Sequence, residues 1–178
     1  NLDESTSLKL KNLIFRNLKD ISNLKDLYSI KNTLDFDNEI TENKRIISQS
    51  DVGFHNMICN GNKTFFVDFE YAGWDDPFKL FSDILLQPDH NLPLKFINLL
   101  DNYVENYIYI NKSEKFRLLF MLKLYRLKWS VIILNPIFKA QDLDILEFNK
   151  FVNNKLKKSL YYLKESSERI KKIKERYC

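Results

Sequence analysis

Asp51, Asn56 and Asp68 have the residue types and the spacing that phosphoryl transfer needs. In Ser48-Gln49-Ser50-Asp51-Val52-Gly53-Phe54-His55-Asn56 a carboxylate precedes an amide by five positions, and in Phe65-Phe66-Val67-Asp68 a second carboxylate closes a short hydrophobic run. The first carboxylate can accept the proton of an attacking hydroxyl. The Asn carbonyl and the second carboxylate are hard oxygen ligands, suited to Mg²⁺ bridging nucleotide phosphates.

Elements must bring these groups together, and the intervening sequence supplies them. Met57-Ile58-Cys59 and Thr64-Phe65-Phe66-Val67 flank Asn60-Gly61-Asn62, the pattern of a β-hairpin with a glycine in its turn. Such a hairpin carries Asn56 at its entrance and Asp68 at its exit, so the two can reach one ion. Arg45 to Ser48 is a short apolar approach to the Asp51 loop. Asp76-Pro77 reads as a helix start, with Phe78, Leu80, Phe81, Ile84, Leu85 and Leu86 as its buried face.

The rest is helical in pattern. Apolar positions from Leu8 to Tyr28 recur at spacings of three and four, which predicts an amphipathic helix over 5–31 with an interruption near Ser22-Asn23. A polar connection is expected over 35–43. Helices are expected from Leu92 to Tyr109 and from Lys115 to Leu134, and a last helix or helix pair from Leu143 to Arg176. The expected class is α+β, mostly helical, in a single domain over 1–178 with a small β insert holding the chemistry.

With 178 residues, 44% of them hydrophobic, the chain can bury one core. Its most apolar region, Phe116 to Ile133, is broken by Arg117, Lys123, Arg126 and Lys128, so no membrane span is expected. The opening Asn-Leu-Asp-Glu-Ser is not a signal peptide, and Cys59 and Cys178 form no disulfide framework. The expectation is a cytoplasmic protein, with Cys59 a buried thiol. The net charge of +4 is uneven. From Lys155 to Cys178 nine basic residues face three acidic ones, a solvated helix face in pattern, whereas residues 35–91 carry eleven acids against four bases. An acidic neighbourhood suits a divalent cation and argues against nucleic acid as a partner.

The run from Ser48 through Asp89 resembles the carboxy-terminal lobe of the aminoglycoside phosphotransferase and choline kinase family, which has a protein-kinase-like fold. The resemblance is carried by Ser48 to Asn56, by Asp68-Phe69-Glu70-Tyr71-Ala72-Gly73-Trp74-Asp75-Asp76-Pro77, and by Asp83 in Leu80-Phe81-Ser82-Asp83. It implies that Asp51 is the catalytic base and that Asn56 and Asp68 hold Mg²⁺ on the phosphates of ATP or another nucleoside triphosphate. It also implies that Asp83, a carboxylate on an apolar helix face, is held by donors from the catalytic-loop backbone. Gln49 stands where the family often has a His. With three glycines in the chain, no Gly-rich phosphate loop can be written, and the residues before Asp51 do not supply the amino-terminal nucleotide-binding lobe.

The expected function is therefore an ATP- and Mg²⁺-dependent phosphotransferase acting on a hydroxyl of a sugar, amino alcohol or aminoglycoside-like compound. The chain would represent its C-lobe, a poor catalyst alone. The alternative is a non-catalytic, kinase-derived binding or scaffold domain. Tyr103, Tyr107, Tyr109, Tyr125 and Trp129 suit an aromatic pocket for a cationic group, or simply a core. His55, Glu70 and Asp75 read as local structure, with His55 packing or hydrogen-bonding inside its loop, and Trp74 reads as core or lobe surface.

Overall fold

The computed structural model describes residues 2–30, 40–90, 92–97, 112–140 and 142–177. Among the described residues four α-helices and two antiparallel ribbons follow one another: α1 (Glu4–Ile30), β1 (Ile46–Ser48), β2 (Met57–Asn60), β3 (Lys63–Phe66), β4 (Gly73–Asp75), α2 (Pro77–Leu86), α3 (Lys112–Ile132) and α4 (Ile145–Tyr177). The described chain is thus α+β and mostly helical. None of its helices is long and apolar enough to cross a membrane.

α1 runs unbroken through Ser22-Asn23, where an interruption was expected. Neither residue is Gly or Pro, so each costs a helix only tenths of a kcal/mol, about 0.5. The buried stripe Thr6, Leu13, Asn17 and Leu24 continues across the pair. Asp3 starts the helix by accepting from Thr6 N and Thr6 Oγ1, both at 2.8 Å.

The final segment is one helix of 33 residues rather than a pair, about 50 Å long at 1.5 Å per residue. Asp144 caps it by accepting from Glu147 N at 2.9 Å. Beside Tyr162, its buried positions Val152, Leu156, Ser159, Leu163, Ser166, Ile170 and Ile173 alternate by four and three as in a coiled-coil seam. The serines let α3 and α4 approach closely, and Ser159 Oγ donates to the Ser130 carbonyl at 3.2 Å.

Two cores share this seam. Phe78, Phe81, Leu85 and Leu86 of α2 pack with Leu118, Leu122 and Tyr125 of α3 and Ile170 and Ile173 of α4. Leu13 of α1 packs with Ile133, Ile137, Val152, Leu156 and Leu163. Trp129 touches both clusters. Asp76 caps α2 through Phe78 N at 2.8 Å, with Pro77 in the first turn, and Gln87-Pro88 ends the helix. The helix expected over Leu92 to Tyr109 lies mostly outside the described residues, as do Tyr103, Tyr107 and Tyr109 and most of the 35–43 connection. Tyr125 is core.

The hairpin forms where its pattern predicts, Met57 pairing with Phe66 and Asn60 with Lys63. Gly61 takes φ +58° in the two-residue turn, a conformation costly for other L-residues. Its faces are uncovered, and Cys59 is exposed, contrary to the buried thiol expected. The apolar run around it is amphiphilic in neither direction, so neither side of the ribbon is drawn onto the helices. The second ribbon was not anticipated: β1 pairs with β4, Ile46 opposite Asp75 and Ser48 opposite Gly73. It ties the approach to the Asp51 loop directly to the start of α2.

Candidate functional site

The two ribbons clamp the segments that carry the three predicted groups. Residues 49–56 leave β1 and enter β2; residues 67–72 leave β3 and enter β4. Four hydrogen bonds organise the segments, one within the first and three between the two. Asn56 Nδ2 donates to the Asp51 carbonyl at 2.9 Å, Val67 N donates to the Asn56 carbonyl at 3.0 Å, and Gln49 Nε2 donates to the carbonyls of Val67 and Asp68. Asp51, Asn56 and Asp68 therefore belong to one hydrogen-bonded unit.

The burial of its members differs in a way that suits chemistry. Gln49 and Asn56 are buried, 6% and 5% exposed, while Asp51 and Asp68 are open to solvent. With its amide nitrogen committed to the loop carbonyl, Asn56 has its Oδ1 left as an unengaged acceptor. That oxygen and the carboxylates of Asp51 and Asp68 are hard oxygen donors, the type that Mg²⁺ takes as ligands. Among the described residues there is no group of three or more His, Cys, Asp or Glu side chains that could hold a metal by themselves.

Backbone strain concentrates here. Ser50 at φ +71° and Asp68 at φ +64° are the non-glycine residues with positive φ among those described. One immediately precedes Asp51 and the other is itself a proposed ligand. Left-handed non-glycine residues cost of order 1 kcal/mol each and persist where surrounding contacts fix them. For Ser50 the contacts are Ser50 N to Ser48 Oγ at 2.9 Å and Lys79 Nζ to Ser50 Oγ at 2.7 Å. Lys79 also pairs with Asp75, one helical turn before it. The ring of His55 folds back over Gly53, where a Cβ would lie 2.3 Å from it, and its Nε2 sits 3.6 Å from Asp51 Oδ2.

Asp83 departs from the role that the resemblance implied. Its carboxylate is buried, but the donors are Lys128 Nζ, 3.1 Å from both oxygens, and Trp129 Nε1 at 2.8 Å. It fastens α2 to α3 and makes no hydrogen bond to the 48–53 loop. Position 79, one turn earlier on α2, reaches the loop instead. Burial pushes the Asp83 carboxyl above its ordinary value, with Lys128 pulling against it. Asp76 behaves alike: burial raises it and Arg117, 3.3 Å away, opposes.

Sequence reasoning missed Gln49 as a clasp and Lys79 as a loop anchor. A signal existed for the second, since Asp75 and Lys79 stand at i and i+4 around a predicted helix start. Glu70 and Trp74 are exposed. Comparison with protein-family models, with curated proteins and with solved structures finds no match.

Proposed function

We propose that the chain is the C-lobe of a kinase-like phosphotransferase that uses ATP, or another nucleoside triphosphate, and Mg²⁺ to phosphorylate a hydroxyl of a sugar, amino alcohol or aminoglycoside-like compound. The observation that carries the reading is the single hydrogen-bonded unit joining the Asp51 backbone, the Asn56 side chain and the segment bearing Asp68. Mg²⁺, when bound, would neutralise charge on the phosphates. Asn56 Oδ1 and Asp68 would hold it. Asp51, solvent-open, orients the acceptor hydroxyl and takes its proton as the γ-phosphoryl group passes to that oxygen and the nucleoside diphosphate leaves. Buried Gln49 and Asn56 hold the geometry.

The exposed apolar side chains Ile47, Phe54, Ile58, Phe65, Phe69 and Trp74 surround this unit. They fit a covering nucleotide-binding lobe, and equally the alternative of a non-catalytic, kinase-derived binding domain. Calorimetry with ATP, with and without Mg²⁺, separates the two when performed on the full-length protein. Metal-dependent nucleotide binding, and transfer lost in Asp51→Ala and Asp68→Ala, is the expected result. Full metal-dependent transfer by Asp68→Ala would refute the assignment of roles, and absence of nucleotide binding favours the scaffold.

A further inference from the structure

A cleft of about 280 Å³ separates the C-terminal end of α2 from one face of α4, away from the 49–68 unit. Leu85, Leu86, Pro88 and Tyr161 form apolar walls, and Tyr162 and Arg169 supply polar groups. Tyr162 is 8% exposed and its hydroxyl has no hydrogen-bond partner. Arg169 Nη1 is also buried without a partner. Among the described residues, no ion pair or hydrogen bond engages the Arg169 guanidinium at all.

Neighbouring groups account for these donors only in part: Ser166 lies close enough to the Tyr162 hydroxyl to act on it, and nothing among the described residues engages Arg169. Ser166 Oγ, beside the phenol, donates to the Tyr162 and Leu163 carbonyls at 2.6 and 3.4 Å. Lys158 is committed to Asp89 at 3.1 Å. Glu165, one turn before Arg169 on the cleft margin, makes no ion pair with it. Burial raises the Tyr162 phenol above its ordinary value, and Arg126, the Ser166 hydroxyl and Arg169 pull against that. The phenol stays a neutral donor.

We propose that this cleft binds a small organic anion, a carboxylate or a phosphate monoester on an apolar body, whose oxygens accept from Arg169 and Tyr162 while the body lies against Leu85, Leu86, Pro88 and Tyr161. Each unmade buried hydrogen bond costs about 1–3 kcal/mol, so an acceptor oxygen at this place recovers what the free protein forgoes. A guanidinium without a carboxylate is suited to a two-oxygen acceptor. The negative end of the α2 dipole, at Leu86, disfavours an anion there, which places its charged end on the α4 side. The volume suits a single-ring molecule.

Phenyl phosphate, benzoate and benzyl alcohol serve as probes in calorimetry with the intact chain. The expected result is saturable binding of one or both anions and none of the alcohol; which anion binds more tightly distinguishes phosphate from carboxylate recognition. Arg169→Gln should weaken binding by about 10-fold and Tyr162→Phe by about 5-fold. Glu165→Gln leaves both donors in place and should tighten binding, so it carries the test if either other variant fails to fold. Failure of both anions to saturate overturns the proposal, and so does unchanged affinity in Arg169→Gln and Tyr162→Phe. A Glu165→Gln variant that binds no tighter and melts earlier overturns it too, because Glu165 would then be the partner of Arg169.

Discussion

Replacing Asp83 by Ala removes the acceptor at the centre of the α2–α3 contact, and the surroundings fix what that costs. Trp129 Nε1–H loses its only partner among the described residues, in a site shared by both hydrophobic clusters. An unsatisfied buried donor costs about 1–3 kcal/mol. Lys128 contributes less to the loss, because its side chain is 41% exposed and can return to water. Relief of the carboxylate's own burial offsets part of the total, so Asp83→Ala should destabilise by about 2 kcal/mol. Lys128→Met should cost more, about 3 kcal/mol, since it strands a carboxylate whose side chain is 6% exposed with one neutral donor. It also removes the ammonium from over the Tyr125 and Trp129 rings, 4.6 and 4.8 Å away. Asp83→Asn keeps an acceptor for Trp129 and should cost least. The pH dependence has a definite sign. A carboxyl raised in the fold binds its proton more tightly folded than unfolded, so its contribution is full below the ordinary 3.8 and is lost as pH rises through the folded value. Lys128→Met removes the opposing charge and extends that window upward, Asp83→Asn abolishes it, and Asp76 leaves a background slope of the same sign in every variant. Urea unfolding from pH 3.5 to 7 measures all of this. A Lys128→Met variant less destabilised than Asp83→Ala, with an unchanged pH slope, would show that the carboxylate is not held as described.

Asp68→Gly should stabilise the protein by up to about 1 kcal/mol in urea unfolding, because glycine takes φ +64° without strain, while abolishing any Mg²⁺-dependent nucleotide binding. Loss of stability instead would mean that the Asp68 side chain holds its own loop. Gln49→Glu turns a donor facing two carbonyl oxygens into an acceptor; it should destabilise by about 3 kcal/mol at pH 7, more than Gln49→Ala, and recover on acidification as the carboxyl protonates. Equal losses for the two variants would remove the clasp from the account. Ser159→Leu should cost about 2 kcal/mol by overpacking the α3–α4 seam, whereas Leu160→Ser on the exposed side should change the urea midpoint little.

The helices were legible because periodicity reports burial directly. The four-three alternation from Val152 to Ile173 follows from which side chains must leave water, and the Asp76-Pro77 start of α2 from its cap chemistry. The single α4 and the unbroken α1 went unrecognised because weak local propensities, such as Ser22-Asn23, suggest boundaries that tertiary packing overrides. The β1–β4 ribbon was invisible for a different reason: three-residue strands have no period to detect. Of the site, residue types and the hairpin that joins them could be read. The partner of Asp83 could not, since a carboxylate on an apolar face demands donors without naming the helix that supplies them.

The division between Gln49 with Asn56 and Asp51 with Asp68 explains why the strain sits where it does. Under the proposed function Asp51 and Asp68 meet a hydroxyl and a cation and must remain in water, so they cannot be positioned by burying their own side chains. Their backbone has to be fixed instead, and fixed by neighbours that are themselves buried. Gln49 spans the carbonyls of Val67 and Asp68, Asn56 holds the carbonyl of Asp51, and Lys79 reaches back from α2 to Ser50. Each bond falls on or next to a residue that is left-handed or solvent-open. A segment that only turned the chain could use glycine at Ser50 and Asp68 and relax. A carboxylate-bearing residue at φ +64°, where glycine would be unstrained, is what the proposed function asks of this turn.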